Sequence, residues 1–113
     1  MARSATDILI ELVFENCHAS YCVLERVEVS VEGHLELIGS DPAYHQQHLL
    51  VEADRDNRIE VLGRQLYRDR MILFHGAGPM TRAMLEVALD LVDWRRAAEI
   101  FWNDAMLAKL SNL

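Results

Sequence analysis

A chain of 113 residues with 51% hydrophobic and 26% charged side chains is long enough to bury one core and too apolar to be disordered. Its formal charge of -7 opposes general nucleic-acid binding, which draws its affinity from concentrated Lys and Arg. Two cysteines cannot build a disulfide framework, and no uncharged run approaches the roughly 18 apolar residues of a membrane helix. The expectation is a cytoplasmic protein, residues 1–113 forming a single domain, with neither membrane nor nucleic acid as partner.

The first apolar run, at residues 8–14, is interrupted by Glu11 and followed by Glu15, and the segment before it carries a single arginine. This fits neither a signal peptide nor a membrane span, and the density of apolar residues predicts a strand buried on at least one face. NCHASYC, residues 16–22, follows as a turn. From 23 to 37 the pattern alternates: Val23, Val27, Val29, Val31, Leu35 and Leu37 share one parity, while Arg26, Glu28, Ser30, Glu32, His34 and Glu36 share the other. Period two marks an antiparallel strand with one wet face. Gly33 interrupts it as the centre of a three-residue hairpin loop or as a bulge in one long strand.

After Gly39, Ser40 or Asp41 serves as a cap and Pro42 as a first helical residue, so a short helical turn is expected. LLVEADRDNRIEVLG reads as strand, polar turn at 54–57, and strand, and a last strand spans 65–74. Between Asp54 and Arg70, five arginines face four carboxylates, a net +1 that leaves -8 on the rest of the chain; the balance predicts an ion-paired surface.

Residues 80–110 have helical periodicity. At 100° per residue, Met80, Ala83, Met84, Val87, Ala88 and Leu91 form one face, extended by Leu85, Leu89 and Val92, which predicts a helix covered on nearly all sides. Trp94, Ala97, Ala98, Phe101, Trp102, Ala105 and Ala108 share the next face, with Ile100 and Leu107 opposite. As one helix the segment would span about 45 Å against a domain of roughly 35 Å, so it either projects or breaks, and Asp93 is the natural cap of a second piece. The predicted fold is α+β: an antiparallel five- or six-stranded sheet in the N-terminal two-thirds, packed by one or two C-terminal helices.

Three constellations are candidates for chemistry. Cys17 and Cys22 with His45 and His48 supply four potential metal ligands, but their spacings are only loosely permitted and not diagnostic of a zinc site, and small apolar fillers beside a turn account for the cysteines better. If 41–52 were one helix, Asp41, His45, His48 and Glu52 would stack on one face, suited to a divalent metal or acid and base roles. In HGAGP, His75, Gly76 and Gly78 precede a helix whose N-terminal amides attract anions, although Pro79 removes one amide and the full dinucleotide fingerprint is absent. Cys17 and His18 would point to opposite faces of a strand and make a poor nucleophile and base.

No catalytic arrangement and no cofactor motif stands out. The sequence points to a non-catalytic interaction module, a homodimer through Trp94, Ile100, Trp102, Met106 and Leu107 of the C-terminal helices. The alternative is a small ligand- or metal-binding domain or enzyme using His45 and His48. The acidic N-terminal half also admits an unidentified basic protein partner through a salt-sensitive contact.

Overall fold

The computed structural model describes residues 4–15, 17–45, 47–72, 76 and 78–111, and among these there is no strand. The elements are α1 (Ala5–Glu15), α2 (Cys17–Ser40), α3 (Pro42–His45), α4 (His48–Arg68), α5 (Pro79–Leu89) and α6 (Trp94–Ser111). The protein is an all-helical bundle, which overturns the expected α+β fold and its antiparallel sheet.

Each expected strand resolves differently. Residues 8–14 lie within α1, which opens on Ser4, whose Oγ accepts the Asp7 amide at 3.1 Å as an N-cap. The alternating stretch 23–37 is the interior of α2, with Gly33 in mid-helix rather than at a hairpin or bulge. The polar turn at 54–57 lies inside α4. There the ion pairs Asp54–Arg58 and Glu60–Arg64 run acid to base at i,i+4, the orientation that supports a helix. Of the last strand, 65–68 finish α4 and 69–71 turn, while 73–75 lie outside the described residues. The short helix at Pro42 agrees with the sequence reading, and of the two alternatives for residues 80–110 the chain takes the break, before α6.

Three helices form the body. His34 meets Asp54 and Arg26 meets Asp69, so α2 and α4 are antiparallel. Arg55 reaches Asn103 at 2.6 Å, while Gly63 faces the backbone of Trp94 and Arg95, so α4 and α6 are antiparallel too. Consistent with both, Trp102 donates to Ser30 Oγ and Lys109 to Glu32, aligning α6 with α2. The helix α1 runs alongside α6, from Thr6 beside Asp93 to Phe14 edge-on to Phe101.

The core is continuous. Ala19, Val23, Val27 and Val31 of α2 face Ile59, Leu62 and Leu66 of α4 and Ala97, Ala98, Phe101 and Trp102 of α6. Leu9 and Val13 close it from α1, and Leu89 of α5 and Val92 from the corner between α5 and α6. Each fully buried large side chain contributes roughly 1.5–3 kcal/mol. The molecule is elongated, 52 × 28 × 23 Å, with a radius of gyration of 15.7 Å where a compact chain of this size would have ~13 Å. No described helix is long and apolar enough to cross a membrane.

Candidate functional site

The corner between α5 and α6 is built from three hydrogen bonds. Asp93 Oδ1 accepts the Arg96 amide at 3.0 Å and caps α6, as its position in the sequence predicts. The Asp93 amide donates to Thr6 Oγ1 at 2.9 Å, fastening the corner to α1. Trp94 Nε1 donates at 3.2 Å to the Leu89 carbonyl at the end of α5, which also accepts the Val92 amide at 3.3 Å. Its ring also meets Tyr67 edge-on.

This corner fixes the direction of α5 and leaves most of it uncovered. Only Leu89 of the helix is buried, contrary to the expectation of a helix covered on nearly all sides. Met80, Met84 and Val87 of α5 and Leu91 in the turn that follows it form an apolar stripe, exposed by 80%, 69%, 70% and 74%. Beside it, Ile8 and Leu12 of α1 and Leu85, Ala88 and Leu91 line an apolar groove of about 280 Å³. The charged residues Arg82, Glu86 and Asp90 project on the other side of the helix into water.

The residues singled out from the sequence are dispersed. Trp102 is 1% exposed, an internal core residue with its indole bonded to Ser30 and Arg55 stacked over its ring. Trp94, Ile100 and Met106 are partly buried, and Leu107 is exposed on the last turns of α6, near the opposite end of the bundle from the corner. Gly76 adopts φ 92°, a conformation that favours glycine, and Gly78 precedes Pro79 at the start of α5; His75 lies outside the described residues.

Cys17 opens α2, and its side chain, like that of His45, lies outside what the structure describes. Cys22 Sγ is 3.7 Å from His18 Nε2, one helical turn away, a partner that strand geometry would have forbidden. The array of Asp41, His45, His48 and Glu52 is divided because α3 ends at His45 and α4 begins at His48, leaving His48 exposed beside Glu52 at 3.8 Å. Among the described residues no group of three or more His, Cys, Asp or Glu side chains converges as a metal site.

One polar cluster went unread in the sequence. His34, 2% exposed, has Nδ1 2.7 Å from Asp54 Oδ2, and Arg58 Nε donates to the same oxygen at 2.8 Å. Burial pushes the Asp54 carboxyl up, but the hydrogen bonds from His34 and Arg58, with their charges, hold it below the usual carboxylate range. The cluster borders a groove of about 350 Å³ between α2 and α4. Comparison of the chain with protein-family models, curated proteins and solved structures finds no significant match in any of the three.

Proposed function

We propose that this protein is a non-catalytic interaction module that forms a two-fold homodimer through its C-terminal helices, with α5 supplying the contact. The observation that carries this reading is the exposed stripe Met80, Met84, Val87 and Leu91. Its spacing of four, three and four residues is the same read in either direction. An antiparallel pairing about a two-fold axis therefore sets Met80 on Leu91 of the second copy and Met84 on Val87 of the second copy, a self-complementary contact of the kind closed dimers use.

Two physical arguments add to the symmetry. Ile8 and Leu12, 44% and 40% exposed, adjoin the stripe across the α1/α5 groove and widen the apolar surface offered to a second copy. The helix has 11 residues, below the ~12–15 at which an isolated helix becomes even marginally stable in water, so a covering partner is its natural source of stability. A reducing compartment, the cytoplasm, suits the free thiol of Cys22.

Size-exclusion chromatography with light scattering tests the reading. The wild-type chain is expected at twice its 13.0 kDa mass, and Met84→Glu or Val87→Glu at the monomer mass with unchanged helical circular dichroism. Leu107→Glu, at the other end of the bundle, is expected to leave the dimer intact. A wild-type monomer, or a Val87→Glu dimer, overturns the proposal.

A further inference from the structure

The groove between α2 and α4 has features that neither core packing nor dimerisation explains. Its volume, about 350 Å³, lies at the lower end of small-molecule sites. Val29 and Val61 make an exposed aliphatic wall, and Ser30, Asn57, Arg58 and Gln65 supply polar groups. Among the described residues, the Asn57 and Gln65 side-chain amides make no hydrogen bond and Arg58 bonds only through Nε, so its two terminal nitrogens remain available.

The setting of Arg58 is specific. Asp54 holds Nε at 2.8 Å, and Gly33 lets the guanidinium lie against the α2 backbone: a Cβ there would stand 2.7 Å from Nη1. Fixed by an acid on its own helix and a missing side chain on the facing one, the guanidinium loses little further freedom when it binds. Its planar fork matches the two oxygens of a carboxylate.

We propose that this groove binds a small organic carboxylate with an apolar tail, its head on Arg58 and its tail on Val29 and Val61. The charge argument narrows the ligand. Arg26 is paired with Asp69 and Arg58 with Asp54, whose Oδ2 is already engaged twice, so the groups left to meet a ligand are donors, the two terminal nitrogens of Arg58 foremost, and they favour an anion over a cation. The chain charge of -7 disfavours a polyanion, leaving a compact ligand with one negative charge.

The test is a titration of the isotope-labelled full chain with hexanoate, followed by amide and Arg58 Nε–H chemical shifts, with 1-hexanol and acetate as controls. Saturable shifts at Ser30, Arg58, Val61 and Gln65 with hexanoate, and neither control binding as tightly, are expected. Arg58→Gln should weaken binding about tenfold or more. Because that change also disturbs Asp54, two further variants are read: Asn57→Ala, an exposed position whose side chain has no partner to lose, and Gly33→Ala, which displaces the guanidinium while retaining it. Both should weaken hexanoate binding in folded protein. The proposal is overturned if hexanoate gives no saturable shift, if hexanol binds equally well, if the shifts map to the α1/α5 groove, or if folded Gly33→Ala and Asn57→Ala bind as the parent does.

Discussion

His34 and Asp54, twenty residues apart in the chain, meet at 2.7 Å in the seam between α2 and α4, and Arg58 joins them on the same carboxylate oxygen. This relationship ties the register of the two helices to the protonation of one acid. The folded state holds the Asp54 carboxyl below its ordinary range, so its stabilising contribution is complete above the unfolded value of about 3.9 and is lost as pH falls through the lower folded value. Asp54→Asn is expected to cost roughly 1.5–3 kcal/mol at neutral pH, the range for hydrogen bonds to a charged group. Urea denaturation at a series of pH values should show the gap between variant and parent constant from pH 7 to 5 and narrowing below pH 4.

Gly63 sets the approach of α4 to α6. A Cβ at this position would lie 3.2 Å from the Arg95 Cα and from the Trp94 carbonyl oxygen, both backbone atoms that yield only if the helices separate. Overpacking of about 1–3 kcal/mol exceeds the ~1 kcal/mol that alanine gains over glycine in a helix. Thermal unfolding should therefore show Gly63→Ala melting below the parent and Gly63→Val lower still. Gly39→Ala, also in a helix but with nothing within 4 Å, should melt higher.

Asp93 caps α6 through the Arg96 amide. Asp93→Ala is expected to destabilise the fold by ~1 kcal/mol, and Asp93→Asn, an equally good cap, by much less. Equal losses in chemical denaturation would mean that the carboxylate charge at the helix N-terminus, rather than the hydrogen bond, is the source of the stability.

If α5 is covered only by a second copy, its amide protection depends on protein concentration. Hydrogen exchange in α5 should be fast in dilute solution and slow at high concentration, while amides at Val27, Ile59 and Trp102, in the intramolecular core, exchange slowly at both. Because the stripe is apolar, added salt should leave this protection unchanged; a steep loss with salt would instead favour a charged partner.

Part of the local structure, the C-terminal third above all, was legible in the sequence. Pro42 announced a short helix and the spacing of residues 80–110 a helical region, with Asp93 the cap if that region broke in two. The balanced charges between 54 and 70 also announced an ion-paired surface, and four of its five arginines, Arg55, Arg58, Arg64 and Arg68, meet carboxylates. The sheet reading failed for a physical reason visible in α2. Its buried apolar residues, Ala19, Val23, Val27 and Val31, recur every four positions, and every multiple of four is also a multiple of two. Leu24 and Glu25, each on the wrong parity for a strand, marked the helix, and the structure exposes Val29, as a four-residue period allows. In α4 the acid-to-arginine spacing at Asp54–Arg58 and Glu60–Arg64 carried the same message against the appearance of a turn.

Contacts between helices are another matter. Nothing in the order of residues says that His34 will face Asp54, that Arg58 will rest against Gly33, or that Trp102 will lie inside the bundle while Leu107 lies outside it. Helical period fixes which residues share a face, because that depends on local backbone geometry alone. Which face is paired, and with what, depends on how the helices cross, and the crossings are set by small residues such as Gly63, Ala97 and Ala98 and by the volume the whole core must fill. The polar seam and the uncovered stripe are both consequences of that packing, and only the tertiary structure decided them.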